Sequence, residues 1–373
     1  MRDDLITLAR SLRKKRGRKK TITDGQLEDT IPRPKSWFNP AMLHGSAGHE
    51  LAMILITNGC NHHHSKAAGC FMCGYNDGYD ADVATCRVPG SAVLAQFKQV
   101  MKEHQDALKS HDDIVLKIFH SGSFLDDREV SPRIREEMLK ISAMEPSIKE
   151  IAVESRPEHV SAEGVNQVLA AIRDDQFLEV GIGLETWNDV IRETCINKGF
   201  TFEDFLEAHH VLEAAGAGTK VYLFLKPLLL SEAEACLDLI NSVQHITRLQ
   251  PSTISINPAA IHSGTVMEFF YHRRQYRPPW LYSVQLVVSR ALHALKNNGN
   301  TLLICDPVAG GKKRGAHNCL DRHCNNKALD IIRESIFQQA SLPGLDPFTI
   351  PKSSSFSDTG CSCLLEWMDL VHS

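Results

Sequence analysis

Three cysteines fall within fourteen residues, in the run Thr-Asn-Gly-Cys60-Asn-His-His-His-Ser-Lys-Ala-Ala-Gly-Cys70-Phe-Met-Cys73-Gly-Tyr-Asn. The spacing is Cys-x9-Cys-x2-Cys. Three thiolates on one loop can ligate three irons of a cubane cluster and leave the fourth iron open. An open iron can bind the amino and carboxylate groups of S-adenosylmethionine. Electron transfer into the sulfonium would then break a C–S bond and release a 5′-deoxyadenosyl radical. The protein's share of such chemistry is to position and shield it. A zinc site of Cys60, Cys70, Cys73 and one of His62, His63 or His64 fits the same residues. Ordinary loop cysteines are the third alternative.

A second group lies near the C-terminus: Cys305-Asp306, His317-Asn-Cys319-x4-Cys324 and Cys361-x-Cys363. Tetrahedral zinc takes four nitrogen or sulfur ligands, and Cys305, His317, Cys319 and Cys324 would supply them. Cys361 or Cys363 could replace one. An auxiliary cluster or plain buried thiols are the competing readings. Cys86, Cys195 and Cys236 are expected to be structural. Eleven cysteines in a chain without a secretory-type apolar leader favour metal binding or catalysis over disulfides, and a cytoplasmic location. The run Gly310-Gly311-Lys312-Lys313-Arg314 lacks the Gly-x4-Gly-Lys-Ser/Thr spacing, so nucleotide hydrolysis is not supported. With His272, Arg273, Arg274 and Arg277 it could form an RNA-facing basic surface. Tyr276 and Trp280 could stack on an unpaired base, although packing is the favoured reading for Trp280.

The elements that must position these residues follow a β/α alternation. Apolar, β-rich runs recur at 51–57, 114–120, 150–154, 178–184, 220–226 and 253–257. Between them lie helix-like segments at 92–110, 133–144, 162–173, 202–214 and 232–247. Runs too apolar to have a wet face predict parallel strands covered by helices. The expected class is α/β, a six-stranded open or closed barrel, with a doubly wound sheet as the alternative. Active sites of barrel folds sit at the C-terminal strand ends. The triad follows the first strand. Ser121-Gly122-Ser123-Phe124, Glu154-Ser-Arg156-Pro157, Gly183-Leu-Glu185-Thr186 and Lys226-Pro227 follow the next four. That shared rim favours the cluster over zinc.

The net charge of −4 is uneven: residues 1–20 carry nine Lys/Arg against Asp3 and Asp4, so the arm is +7 and the remainder −11. Such an arm suits phosphate contact or is a solvated tail. No 18-residue apolar stretch occurs, so no membrane span is expected. The expected organisation is a basic arm and lead-in over 1–48, with Trp37 and Phe38 as anchors, a core over 49–262, and a cysteine-containing extension over 263–373.

With these residues in view, the segment from Leu51 to Pro258 resembles the radical S-adenosylmethionine (SAM) superfamily. The usual spacing there is Cys-x3-Cys-x2-Cys, so the long first interval is a departure. It is shared with the elongator catalytic subunit family, whose Glu-Thr-Arg-Pro-Asp motif also resembles Glu154-Ser-Arg156-Pro-Glu158. Met72 stands where an aromatic residue usually precedes the third cysteine, and Tyr75 could supply the missing ring. The resemblance implies a partial (β/α)6 barrel with a 4Fe-4S cluster on Cys60, Cys70 and Cys73. It implies that Gly122 and Ser123 contact the methionine amino group. Glu154, Arg156 and Glu185 would hold its carboxylate or the ribose. Leu225-Lys226-Pro227, Ile256-Asn257-Pro258, Gly264-Thr265-Val266-Met267-Glu268, Tyr276-Arg277-Pro278-Pro279-Trp280 and Gly315-Ala316-His317-Asn318-Cys319 resemble the archaeosine-forming radical SAM family. This implies a lyase acting on tRNA beside archaeosine synthase, with an electron donor. The synthase attaches lysine to a 7-deazaguanine nitrile, and the radical enzyme cleaves the lysine C–N bond. The alternatives are a radical SAM enzyme acting on another RNA or a small molecule, and a zinc-containing RNA-binding protein.

Overall fold

The computed structural model describes residues 1–14, 20–21, 33–75, 86–296, 301–319, 321–339 and 361–372. The chain divides into two compact units that interleave in sequence. One comprises Ile6–Gly183 and Gly199–Lys220; the other comprises Met1–Leu5, Leu184–Lys198 and Val221–Ser373.

In the first unit, strands β1 (Lys35–Met42), β2 (Ala47–Leu55), β3 (Ile114–His120), β4 (Ile148–Glu154) and β5 (Phe177–Glu185, all but its last two residues in this unit) lie in that order. From β2 to β5 every pairing is parallel. The reason is visible in the side chains. Ile114, Leu116 and Ile118 of β3, and Leu178, Val180 and Ile182 of β5, are buried, as are Val115 and Glu179, so both faces are covered. The crossover helices α2 (Gly90–Glu103), α3 (Pro132–Ala143), α4 (Ala162–Leu169) and α5 (Phe202–Ala214) match the expected spacing. A capping box, Thr201 with Asp204, starts α5.

Two sequence expectations change here. The lead-in contains a strand, β1, which pairs antiparallel with β2 at an edge. Trp37 donates its indole N–H to Glu50 Oε1 at 2.7 Å, and Phe38 stacks on His49 at 5.1 Å. Pro40 hides this strand from a sequence reading, yet an edge tolerates a missing N–H. The first residues of the basic arm are also ordered, as helix α1 (Arg2–Lys14), with Leu5, Ile6 and Ala9 buried. Arg10 donates through Nε to the Lys66 carbonyl at 3.0 Å. Half of the arm's apolar residues therefore pack, and this stretch is not a solvated tail. Residues 15–19 of the arm and 22–32 of the lead-in lie outside the described residues.

In the second unit, β6 (Gly218–Leu225, largely in this unit), β7 (Thr253–Pro258) and β8 (Leu302–Ile304) are ordered consecutively, with β7 and β8 parallel. The short β8 adds a strand to the six expected. Helices α6 (Glu232–Thr247), α8 (Leu281–Leu295), α9 (Arg322–Gln338) and α10 (Cys363–His372) form its helical layer, after α7 (Val266–His272). Helix α8 packs against both α6 and α9, so it is buried almost all round, from Leu281 through Val288. Among the described residues no helix is long and apolar enough to cross a membrane. The α/β class, with parallel strands and crossover helices, is as expected.

Candidate functional site

The long first interval of the triad resolves into two local devices. Cys60 follows Gly59, which takes φ 79°, and starts a single helical turn, Asn61–His64, whose last N–H bonds the Cys60 carbonyl at 3.2 Å. Ala68 and Gly69 then both adopt left-handed φ, 65° and 63°, and reverse the chain just before Cys70. The Cys73 N–H returns to the Cys70 carbonyl at 3.3 Å, and Phe71 between them is fully buried. All three cysteines are half-buried and not disulfide-bonded. The histidine run has packing roles: His63 is buried, His64 Nε2 lies 3.0 Å from the Asn58 carbonyl, and the His62 ring lies against Gly199. Among the described residues, none of them converges with the three thiols on a single-ion position.

Glu129, which carries no motif in sequence, fastens this loop to the turn after β3. Its Oε1 accepts the Asn61 N–H at 2.6 Å, and its Oε2 accepts the Ser123 N–H. Asn61 Nδ2 adds a bond to Asp126 at 2.6 Å. Gly122 is required by this closeness. A Cβ there would overlap the Glu129 carboxylate and come within 3.2 Å of Cys60 Cα. Ser123 is completely buried, and its Oγ accepts the Arg156 N–H at 3.1 Å. The Phe124 N–H bonds the Glu154 carbonyl at 2.8 Å, so the ends of β3 and β4 are held together. Ser121 Oγ donates to the Tyr75 carbonyl at 2.9 Å, while the Tyr75 side chain is exposed.

The electrostatics of this cluster favour a protonated thiol at Cys60 and a charged guanidinium at Arg156. Burial, with Glu129 beside it, pushes the Cys60 thiol up to about 11. A metal must therefore displace its proton, which couples assembly to pH. Burial likewise raises Glu129 to about 7, against the pull of its two backbone N–H donors. Arg156 loses solvation, but Glu158 and the Cys70 and Cys60 sulfurs hold its guanidinium charged. It donates to Glu158 at 2.6 Å and lies over Phe200 at 5.3 Å. His120, at the end of β3, is kept neutral by burial, at about 4. Three thiols, a nearby permanent cation and a glycine-permitted close approach fit a three-cysteine iron–sulfur cluster. Gly122, Ser123, Glu154 and Arg156 all lie at the neighbouring strand ends.

Glu185, at the end of β5, belongs to the second unit. It is buried, takes φ 69°, and accepts from Lys198 Nζ at 2.6 Å. Lys226, also left-handed at φ 70°, is ion-paired with buried Glu232. Glu232 Oε1 accepts the Trp280 N–H at 2.8 Å and Ser283 Oγ at 2.5 Å. Trp280 is buried, as the packing reading expects. Tyr276 is buried too and donates its hydroxyl to the Lys226 carbonyl at 2.6 Å, so base stacking by Tyr276 is ruled out in this arrangement. Arg277 is spent on the His317 and Asn318 carbonyls, at 2.7 and 2.6 Å.

The second cysteine group converges on a different set from the Cys305, His317, Cys319 and Cys324 expected from the sequence. The side chains that converge are Cys319, Cys324, Cys361 and Cys363, with ligand atoms within 4.8 Å of one another. Cys305 and His317 do not join them among the described residues. Cys305 is buried, with its thiol pushed up by desolvation, and His317 Nδ1 lies 2.8 Å from the Gly315 carbonyl. Proximity in sequence favoured Cys305 and His317. The fold instead returns Cys361 and Cys363 at the start of α10.

The β/α alternation and the three-cysteine loop define a radical SAM protein, and the superfamily profile matches residues 54–240. The chain belongs to the radical SAM superfamily. Its relatives include an uncharacterized protein of Methanocaldococcus jannaschii, MJ0550, 35% identical over 86% of this chain and 82% of that one. Archaeosine synthase subunit beta of Methanosarcina acetivorans is 38% identical over 80% of this chain and 81% of its own. The protein of the same name from Thermococcus kodakarensis is 36% identical over 76% and 84%.

Proposed function

We propose that this chain is the radical-forming enzyme of archaeosine formation in tRNA, cleaving the lysine C–N bond of a lysine-adducted 7-deazaguanine beside an archaeosine synthase partner. The observation that carries the radical half is the Cys60–Cys70–Cys73 loop fastened by Glu129 to the Gly122–Ser123 turn. Similarity to proteins named archaeosine synthase subunit beta supports the tRNA half.

Cys60, Cys70 and Cys73 would hold the 4Fe-4S cluster. When bound, cluster and S-adenosylmethionine together supply a 5′-deoxyadenosyl radical once an electron donor has delivered its electron. The chain's own residues do the positioning. Gly122 lets backbone approach where a side chain would collide. Ser123 braces the ends of β3 and β4, and Glu154 and Arg156 present opposite charges there for the zwitterionic methionine end. Tyr75, tethered by Ser121, offers a ring for the adenine. The part assigned to Glu185 rests on the family resemblance alone.

The test is anaerobic turnover with the reduced, cluster-loaded protein, S-adenosylmethionine and lysine-adducted tRNA, with and without the synthase. Mass spectrometry of the digested tRNA should show adduct converted to archaeosine, with 5′-deoxyadenosine formed. Variants with Cys60, Cys70 or Cys73 changed to Ala should show neither. An untouched adduct in the presence of 5′-deoxyadenosine would remove the substrate assignment, and absence of both products would remove the radical one.

A further inference from the structure

The four converging cysteines of the second unit are a set apart from Cys60, Cys70 and Cys73, and their geometry separates two kinds of metal centre. Their ligand atoms all lie within 4.8 Å, and Cys324 Sγ is 3.5 Å from Cys363 Sγ. Four sulfurs around one zinc at about 2.3 Å sit roughly 3.8 Å apart by tetrahedral geometry. A cubane places an iron behind each sulfur and spreads the four much farther. The spacing here is that of a single ion.

The surroundings are those of a thiolate cage. Tyr282 Oη lies 3.5 Å from Cys363 Sγ and 3.8 Å from Cys324 Sγ. Asn318 Nδ2 donates to Cys324 Sγ at 3.9 Å, and the Cys363 N–H donates to Cys361 Sγ at 3.4 Å. Donors aimed at sulfur offset the negative charge that four thiolates around a divalent ion carry. Asn318 is itself fixed, because its N–H donates to Asn325 Oδ1 at 2.8 Å and its Oδ1 accepts the Tyr282 N–H at 3.1 Å. These donors are thus held in place by the protein's own hydrogen bonds. Cys324 and Cys363 are buried; Cys319 and Cys361 are half-buried and give an entry path.

We propose that Cys319, Cys324, Cys361 and Cys363 bind one structural zinc ion, distinct from the radical cluster, that pins helix α10 to the start of α9. Binding exchanges four S–H protons, released to solvent, for four Zn–S bonds, with no change of oxidation state. The need for such a clip follows from the chain. Cys324 and Cys363 are 39 residues apart, and α10 is a ten-residue helix, too short to be stable alone. Closing a long loop at one point removes unfolded-state freedom that the helix's own contacts would otherwise have to offset. Trp367 supplies the second attachment, buried with its indole N–H on Ser283 Oγ at 2.8 Å.

The full-length protein, purified anaerobically without added metal, should carry one zinc per chain by elemental analysis. A Cys60→Ala, Cys70→Ala, Cys73→Ala triple variant should keep that zinc while losing its iron. Cys319→Ser and Cys363→Ser should lose zinc while keeping the iron cluster. Should these serine variants fail to fold, thiol titration of the triple variant gives an independent reading, with zinc release tracking modification of four thiols. Cobalt substituted into the triple variant should show the intense bands of tetrahedral thiolate ligation. Zinc that leaves with the triad variant, iron in place of zinc at these four cysteines, or absence of metal with the thiols paired as disulfides would overturn the proposal.

Discussion

Replacing Glu129 by glutamine changes one atom of a group that joins the cysteine loop to the strand-end turn. The carboxylate accepts the Asn61 N–H at 2.6 Å through one oxygen and the Ser123 N–H through the other. An amide has one acceptor oxygen. Whichever way it is turned, its NH2 group must face one of these backbone N–H groups, and Ser123 is wholly buried, so water has little access. Leaving one buried donor unsatisfied costs about 1–3 kcal/mol. If that cost falls on closure of the loop onto the turn, the closed fraction relative to open drops roughly 5- to 150-fold. Cluster assembly draws on the closed form, so occupancy should fall while the rest of the chain stays folded. The assay is iron and acid-labile sulfide per chain after anaerobic reconstitution under limiting iron, with far-ultraviolet circular dichroism as the folding control. Wild-type iron content and unchanged assembly kinetics in Glu129→Gln would refute the bridging role assigned to this carboxylate.

Gly122→Ala should be more severe, because the added methyl overlaps the Glu129 carboxylate and the displaced turn carries Ser123. At least a tenfold loss of S-adenosylmethionine binding is expected by calorimetry, and normal binding would contradict the close-approach argument. His44 contributes a pH dependence. Burial alone would lower its pKa, but bonds to Glu150 and Glu179 outweigh it and raise the group from 6.5 to about 10. Its stabilisation is therefore complete below about pH 6.5 and is lost as pH rises through about 10. The share at stake is on the order of 2–4 kcal/mol. Urea unfolding at pH 7 and 10.5 should show the His44→Gln variant closing the gap to wild type, and a constant gap would contradict it. Trp367→Ala removes a buried indole and its bond to Ser283, a class of change that costs about 3–5 kcal/mol. Hydrogen exchange across 361–372 should accelerate selectively, and unchanged protection would show that α10 is held by other means.

The triad, the strand-end motifs and the parallel β/α alternation were legible in the chain because each depends on local spacing. Thiol spacing reports ligand type, and predominantly apolar runs such as Ile114–His120 report strands covered on both faces. Strand β1 was not legible. Its Pro40 and its place in a Pro-rich stretch mask a pattern that only pairing with β2 makes regular. Glu129 was equally invisible, since a lone glutamate in an acidic run gains meaning only when folding brings Asn61 and Ser123 to its two oxygens. The same holds for the histidines after Cys60, whose packing roles emerge from contacts such as His62 against Gly199.

What the sequence determined by itself was the chemistry available: three thiols at a spacing suited to a cluster, and a second set of cysteines suited to a metal. What only the tertiary structure decided was which of those cysteines meet. Cys305 and His317 are nearer to Cys319 along the chain, but α10 returns Cys361 and Cys363 instead, within 4.8 Å of Cys319 and Cys324. Ligation depends on distance in space, and distance along a chain constrains it only until a helix docks elsewhere.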